Sequence, residues 1–325
     1  MELLERLTQI SGPSGCEDKI RQAIGETAKG KCDEIITDPL GNLILVKHGT
    51  AANKKKIMVA AHMDEIGIIA KHIDKNGFIR FEAVGGLYTC QLVGRRVRFL
   101  NGVVGVIGCE EEDKKPVLDK LFIDIGATSD TTASERVSVG DMAVFCGEMY
   151  RNGDIVISKA LDNRAGCYIL LKALEKINSK NDVYLTFTVQ EEVGLRGAGT
   201  AAYTIDPDYA IAVDVTDTGD TPNAPVMDVK IGKGAAVKIM DHSVLCDAYL
   251  RNFMIATAKS HKIPYQAEIM TDGGTDAGRI HMTRGGVKTG GISVPTRYIH
   301  SPSELASVSD IQACIDLLVC VLNEL

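Results

Sequence analysis

Apolar and polar residues follow one another in two different ways along the chain, and each pattern occupies its own part of it. Residues 1–64 and 160–325 combine apolar residues at helical spacing with short, almost wholly apolar runs. The run "VYLTFTV" (183–189) predicts a buried strand, and "NRAGCYILLKALEKI" (163–177) predicts a helix. Strands that alternate with helices predict a largely parallel sheet with helices on both faces.

The same reasoning predicts further helices and strands in these two parts of the chain. Predicted helices are "MELLERLTQI" (1–10), "EDKIRQAIGETAK" (17–29) and "CDAYLRNFMIATAKSH" (246–261). Predicted strands are "NLILVKHG" (42–49), "KKIMVAAHMD" (55–64), "YAIAVDV" (209–215) and a last one that includes "GGISV" (290–294).

Between about residues 66 and 159 the helical spacing gives way to short β-rich runs separated by Asn-Gly pairs. These pairs are Asn76-Gly77, Asn101-Gly102 and Asn152-Gly153. Asn-Gly between β-rich runs is the strongest short-range indication of a hairpin. We therefore expect an α/β domain formed by residues 1–65 and 160–325. A smaller β-rich domain, barrel- or PDZ-like, interrupts it over residues 66–159.

Composition and charge narrow the choice of partners. The chain has 325 residues and a net charge of -7, which disfavours nucleic acid and anionic membranes as partners. No apolar run approaches the length of a membrane span, and the first residues lack the features of a secretion signal. The nine cysteines are scattered without a C-x-x-C pair, which is typical of free thiols in a reducing compartment. We expect a cytoplasmic protein.

Histidine and acidic residues stand at the ends of several predicted strands or in the loops that follow them. Ligands of open α/β sheets bind outside the carboxyl ends of the strands, so these side chains are expected to meet in one crevice. The residues concerned are His62, Asp64, Asp162, Glu191, Glu192, Asp214 and His300.

This combination of residue types favours a centre of two divalent ions. Two imidazoles and three carboxylates exceed the needs of one tetrahedral ion and suit two ions that share a bridging carboxylate. The donor set, which lacks thiolate, suits zinc, cobalt or manganese. In His62-x-Asp64, the carboxylate of Asp64 can accept the second ring N–H of His62 and fix its tautomer. Taken singly, Asp162 also fits a helix N-cap and Asp214 a turn.

Six sequence motifs together resemble the M42 metallopeptidases over the whole chain. They are "AAHMDEIG", "ALDNRAG", "VQEEVGLRGA", "AVDVTDTGD", "GGTDAG" and "RYIHSP". Members of that family are cytosolic dinuclear aminopeptidases. In the family the β insert serves as a dimerisation domain, and some members assemble into tetrahedral dodecamers.

The resemblance implies a role for each candidate residue. His62 and Asp214 correspond to terminal ligands of one metal, and Glu192 and His300 to those of the other. Asp162 corresponds to the bridging ligand, Glu191 to the general base and Asp64 to the residue that orients His62. Two Zn²⁺ or Co²⁺ ions, or Mn²⁺, would activate a bridging water.

The resemblance predicts an aminopeptidase that acts on short peptides as a homo-oligomer, and two other functions stay open. A glycoside hydrolase of the endoglucanase type would use paired carboxylates about 5–9.5 Å apart. The chain has no Trp and only 5% aromatic residues, which leaves little surface for sugar stacking. A non-catalytic, metal-stabilised scaffold would keep the ligands but would have no use for Glu191.

Overall fold

The computed structural model describes residues 1–111, 115–222 and 224–325. Its helices lie where apolar residues recur at helical spacing, and the predicted helices at residues 1–10, 17–29 and 246–261 are all present. In chain order the helices are α1 (Glu2–Gln9), α2 (Asp18–Ala28), α3 (Asp130–Ser134), α4 (Leu161–Leu174), α5 (Arg196–Ile205), α6 (Ala248–Ser260), α7 (Ala277–Ile280) and α8 (Val308–Glu324).

Most strands belong to one large mixed sheet. Its strands are β1 (Glu34–Thr37), β2 (Leu43–Lys47), β3 (Lys56–His62), β10 (Tyr150–Asn152), β11 (Ile155–Ser158), β12 (Asp182–Thr188), β13 (Tyr209–Thr216), β14 (Ala235–Met240), β15 (Tyr265–Ile269), β16 (Lys288–Arg297) and β17 (Glu304–Ser307). They are ordered β1-β2-β12-β3-β13-β16-β17-β11-β10, with β14 paired to β16 and β15 to β14.

The centre of this sheet is parallel, as predicted, and this arrangement positions the candidate residues. Strands β12, β3, β13 and β16 run in parallel and in this order. The register pairs Thr188 with His62 and Asp214 with Ser293. The carboxyl ends of four neighbouring strands therefore meet at one edge, while antiparallel pairs extend the sheet on both sides.

The remaining strands close into a six-stranded antiparallel barrel, which confirms the predicted β-rich insert. Its strands are β4 (Gly67–Ile73), β5 (Ile79–Val84), β6 (Arg96–Phe99), β7 (Val104–Cys109), β8 (Leu121–Asp124) and β9 (Met142–Phe145). They follow the order β4-β5-β8-β7-β6-β9 around the barrel. Two of the Asn-Gly pairs lie between paired barrel strands, one between β4 and β5 and the other between β6 and β7.

The third Asn-Gly hairpin, formed by β10 and β11, differs from the expectation in its location. The two strands pair with each other around Gly153, but β11 also pairs with β17 in the large sheet. Residues 150–158 thus extend the large sheet, and the strands of the barrel end at Phe145. The division at residues 66 and 159 stays a prediction, and this pairing favours an end of the insert nearer residue 146.

The α/β part of the chain and the barrel each have their own apolar core. The larger core lies between the sheet and helices α1, α2, α4, α6 and α8, and the smaller one fills the barrel. On the other face of the sheet, small side chains of α5 pack against β2 and β3. Among the residues that the structure describes, no helix combines the length and the apolar character needed to cross a bilayer.

Candidate metal centre

The predicted site residues come together at the carboxyl edge of the parallel strands. His62 ends β3, Glu191 and Glu192 follow β12, and Asp214 lies near the end of β13. Two further residues come from other elements: Asp162 lies in the irregular first turn of α4, and His300 lies in the loop between β16 and β17. These placements agree with the rule that ligands bind beyond strand carboxyl ends.

The contacts of His62 leave one ring nitrogen facing the cluster. Its Nδ1 lies 3.2 Å from the main-chain carbonyl oxygen of Asp64. A carbonyl oxygen can only accept, so Nδ1 carries a proton and donates it. Nε2 points instead at carboxylates, with Asp162 Oδ1 at 3.0 Å and Asp214 Oδ1 at 3.6 Å. In a neutral ring, Nε2 is then the nitrogen whose lone pair is free for a metal.

Asp162 lies between the two histidines and faces each with a different oxygen. Its Oδ1 approaches His62 Nε2, and its Oδ2 lies 3.4 Å from His300 Nε2. His300 Nε2 is also 3.1 Å from Glu192 Oε2. A carboxylate that presents one oxygen to each of two imidazole nitrogens has the form that a bridging ligand requires.

Asp64 makes different contacts from those expected. Its carboxylate oxygen Oδ1 lies 3.6 Å from His62 Nδ1, too far for a good hydrogen bond, and the main-chain carbonyl takes that proton instead. The carboxylate accepts the backbone N–H groups of Glu191, at 3.1 Å, and of Glu192, at 3.2 Å. Ser14 Oγ also donates to it, at 2.6 Å. Asp64 is therefore positioned to fix both glutamates.

The two adjacent glutamates face different parts of the centre. Glu192 turns towards His300, and its other oxygen, Oε1, is buried without a hydrogen-bond partner in the described structure. Glu191 Oε2 lies 3.9 Å from His62 Nε2. By position, His62 can share an ion with Glu191 and Asp214, or with Asp162 and Glu192. Glu191 is thus close enough to be a ligand, and its role as a base is implied by the family resemblance.

The negative charge of the carboxylates in this cluster favours the protonated, positively charged form of the two histidines. Burial lowers the pKa of His62, but the carboxylates of Glu191 and Asp162 outweigh this effect and raise it well above the usual value. For His300, burial acts in the same direction and is outweighed by Glu192 and Asp162, which raise its pKa to about 12. Without another cation, two imidazolium ions would therefore offset only part of the negative charge of the carboxylates.

The carboxylates respond to burial and to one another. Burial, reinforced by neighbouring acids, raises the pKa of Glu191 well above its usual value and also raises that of Glu192 and Asp214. For Asp162 burial acts the same way, but the two histidines outweigh it and lower its pKa. A buried cluster of this composition requires positive charge, which divalent ions supply when they displace protons from the imidazoles.

The spacing of the donor atoms fits two ions. Ligand atoms 2.0–2.1 Å from a tetrahedral Zn²⁺ lie about 3.3 Å from one another. Around the first position, His62 Nε2 is 3.0 Å from Asp162 Oδ1 and 3.6 Å from Asp214 Oδ1. Around the second, His300 Nε2 is 3.4 Å from Asp162 Oδ2 and 3.1 Å from Glu192 Oε2. Glu192 Oε1, which has no partner, is a further donor at the second position.

A loop of the barrel completes the centre. The segment after β5 passes directly over His300, and a methyl group added at Gly86 would lie 2.9 Å from its Nδ1. At Gly85, where φ is +88°, an added methyl group would lie 3.2 Å from the Cβ of Glu192. Only glycine allows so close an approach of the backbone, so the barrel contributes to the site.

The cluster forms the floor of a cavity of about 610 Å³. Beyond the metal-site residues, the wall includes Asp217 and Asp272, and it contains no lysine or arginine among the described lining residues. Apolar contact comes from side chains that include Leu195 and Met270, and Tyr88 belongs to the loop of the barrel. The volume suits a small ligand or a short peptide segment.

Sequence reasoning missed several residues that support the centre. Ser14 lies before α2, far from any predicted strand end, and no local pattern points to it. Glu304, four residues after His300, accepts backbone N–H groups of two of the candidate ligands. Asp276 lies just before α7; its buried carboxylate accepts the Thr188 hydroxyl, and burial raises its pKa to about 7. Glu304 and Asp276 have in common the full burial of an acid, which only coordinates reveal.

Comparison with known proteins gives a consistent result over the whole chain. Residues 41–317 match the family described as M42 glutamyl aminopeptidase. A putative aminopeptidase of Acetivibrio thermocellus is 53% identical over 322 residues, which cover 98% of this chain and 97% of the relative.

Solved structures agree with this match. A TET aminopeptidase from the marine sediment archaeon Thaumarchaeota archaeon SCGC AB-539-E09 superposes with a TM-score of 0.96 at 38% identity, covering 100% of this chain and 97% of the other. The TET1 peptidase of Pyrococcus horikoshii superposes with a TM-score of 0.89 at 34% identity, covering 100% and 99%. The latter is described as assembling into a tetrahedron or a large octahedral shell.

Proposed function

The chain belongs to the M42 peptidase family, a family of aminopeptidases, and we propose that it removes N-terminal residues from short peptides at a centre of two divalent metal ions. The observation that carries the proposal is the position of Asp162. One of its carboxylate oxygens faces His62, and the other faces His300.

In this proposal each of the two metal ions has its own protein ligands. His62 and Asp214 would hold one ion, Glu192 and His300 would hold the other, and Asp162 would be shared between them. The distances between their donor atoms and the unpartnered Glu192 Oε1 support this set. Nitrogen and oxygen donors without thiolate favour Zn²⁺ or Co²⁺, with Mn²⁺ also compatible.

In the proposed hydrolysis, the metal ions and the side chains of the protein have different tasks. When bound, two divalent ions supply a water of lowered pKa and an electrophile for the scissile carbonyl. The carboxylate of Glu191 accepts the proton of the attacking water and returns it to the leaving amine. Asp64 keeps Glu191 in place through the backbone N–H of that residue. The barrel loop at Gly86 lies against the ring of His300.

The proposal extends to assembly and location. The likeness to a peptidase that can assemble into a tetrahedron or an octahedral shell supports a homo-oligomer. The family resemblance adds the barrel as the dimerisation domain and a dodecamer as the expected particle. All nine cysteines are free thiols, which supports a reducing, cytoplasmic location.

The test is a panel of aminoacyl chromogenic substrates, measured on enzyme that is stripped by a chelator and reloaded with Zn²⁺, Co²⁺ or Mn²⁺. We expect stripping to abolish hydrolysis and at least one metal to restore it. Glu191→Gln should lose turnover and still bind metal, because it removes a base and no ligand. A stripped enzyme that keeps its rate, or activity on a β-glucan that survives chelation, would contradict the proposal.

A further inference from the structure

Glu304 is a buried carboxylate that contacts two of the proposed ligands through their backbones. Its side chain is enclosed at the start of β17, with only 1% of its surface exposed. Oε2 accepts the backbone N–H of Asp162 at 2.9 Å, and Oε1 accepts the backbone N–H of His300 at 3.0 Å. One carboxylate thus joins the bridging ligand to a terminal ligand of the second ion.

The two segments that Glu304 joins have unusual backbone conformations. Ala160, two residues before Asp162, has φ +54°, and in the other segment Tyr298 has φ +60° and His300 has φ +62°. Side chains other than glycine are disfavoured in this left-handed region, so such turns persist only when surrounding contacts hold them. The hydrogen bonds of Glu304 are contacts of this kind, and they end at the ligand residues themselves.

We propose that Glu304 is a positioning residue that sets the distance between Asp162 and His300 and thereby forms the second ion site. The proposal rests on the proposed function, since it needs the ions to be held by these residues. Glu304 does not touch substrate; it acts through the backbone of two ligands. Partners of this kind orient the ligands of a metal, and their loss typically costs about 10–100-fold in metal affinity or activity.

Asp310 offers a matched control within the same chain. It is also 1% exposed, and its two carboxylate oxygens accept the backbone N–H groups of Gly232, at 2.6 Å, and Gly234, at 2.7 Å. These glycines carry no ligand. Replacing Asp310 therefore removes the same type and number of hydrogen bonds as replacing Glu304, at a place that does not position an ion.

The experiment compares the wild type, Glu304→Gln and Asp310→Asn. Both substitutions keep the size of the side chain, and in each the amide NH₂ group faces a backbone N–H that it cannot accept. Divalent-ion affinity and stoichiometry are measured by calorimetry and by elemental analysis, and the Co²⁺-loaded proteins are compared by visible absorption. Hydrogen exchange is measured on the metal-free proteins over residues 160–163 and 298–303.

For Glu304→Gln we expect the affinity of one ion to fall about 10–100-fold, with an altered Co²⁺ spectrum and faster exchange in both segments. Asp310→Asn should keep wild-type affinity and lose exchange protection around residues 232–234. Unchanged affinity in Glu304→Gln, or an equal loss in Asp310→Asn, would overturn the proposal. If the wild type bound no ion, the proposed function would fail, and slower exchange in the wild type than in Glu304→Gln would still show that Glu304 holds the two segments.

Discussion

At the scale of single residues, the centre depends on carboxylates that bind backbone N–H groups rather than ions. Asp64 accepts the N–H groups of Glu191 and Glu192, and Glu304 accepts those of Asp162 and His300. Each of these two acids thus fixes a pair of functional residues. Such preorganisation matters because donor atoms displaced by a fraction of an ångström bind an ion poorly.

Replacing Asp64 by Asn tests this arrangement at Glu191 and Glu192. An amide offers only one oxygen, so the variant loses at least one of the two N–H hydrogen bonds, and we expect kcat to fall about 10–100-fold at saturating metal. Steady-state kinetics of Asp64→Asn measure the effect. Ser14→Ala is the control, because it removes a single hydrogen bond to the same carboxylate and should cost less. A rate for Asp64→Asn equal to that of Ser14→Ala would contradict the assignment.

How far the site follows from the sequence depends on how local its determinants are. His62, Glu191 and Asp214 are predictable because each stands at the end of a recognisable apolar strand, and parallel strands deliver their ends to one edge. Ser14 and Glu304 are not, because their partners lie far away in the sequence or are backbone groups. The contact of His62 with the Asp64 carbonyl likewise depends on loop geometry, which residue spacing alone does not specify.

At the scale of elements, local turns were predictable and distant pairings were not. Every Asn-Gly pair forms a hairpin, because the positive φ that the turn needs is a property of glycine itself. The sheet to which a hairpin belongs is decided elsewhere. β11 joins the large sheet through β17, about 150 residues later, and nothing in the run "DIVIS" indicates that partner.

Arg164 of α4 is an example of an element held by buried polar contacts. Its guanidinium donates to the main-chain carbonyls of Leu7, Ile10 and Met63, and it lies 3.4 Å from Glu65. The side chain is fully buried. Arg164, which lies two residues after Asp162, therefore connects α4 with the end of α1 and with the segment after β3.

We expect Arg164→Gln to destabilise the fold by about 3–5 kcal/mol, because it leaves buried carbonyls without their donor and removes one of the two cations that contact the buried Glu65 carboxylate. Chemical denaturation measures the loss. Arg6→Gln is the control: Arg6 forms an exposed ion pair with Glu26, and such pairs are worth about 0–1 kcal/mol. Similar losses in the two variants would show that burial does not determine the value of these contacts.

A second contact between elements predicts a dependence on pH. Arg297, at the end of β16, holds Asp220 with two nitrogens at 3.0 and 2.7 Å and lowers the pKa of that carboxyl to about 2. The unfolded chain protonates Asp near pH 3.9. The contact therefore stabilises the fold fully above about pH 4, and the effect is lost as the pH falls from about 4 to about 2.

Asp220→Asn should accordingly cost about 1–2 kcal/mol at pH 7 and clearly less at pH 3, since the wild-type carboxyl then loses its advantage. Urea denaturation at both pH values measures the difference between wild type and variant. A difference that stays constant between pH 7 and pH 3 would mean that the ionised pair does not contribute.

At the scale of the whole molecule, the cavity between the two units determines which peptides fit. Two divalent ions would balance the four carboxylates of the centre and leave Asp217 and Asp272 uncompensated in the wall. Neither has a hydrogen bond or ion pair with the described part of the chain, and no lysine or arginine lines the cavity there. The remaining negative charge disfavours an acidic N-terminal residue and favours a basic one.

We therefore expect higher kcat/KM for lysyl and arginyl substrates than for glutamyl and aspartyl ones in a panel of equal leaving groups. Asp272→Asn should reduce this preference several-fold, because each unit charge in the wall contributes to it. Asp228→Asn, in an adjoining cavity, serves as the control. A preference for glutamyl substrates, or one unchanged in Asp272→Asn, would contradict the role of the wall charge.

The central claim is that Asp162 bridges two divalent ions, and anomalous diffraction from Co²⁺- or Zn²⁺-loaded crystals tests it most directly. We expect two peaks per chain, one between His62 and Asp214 and the other between Glu192 and His300, each beside a different oxygen of Asp162. A single peak, or peaks that do not contact Asp162, would contradict it.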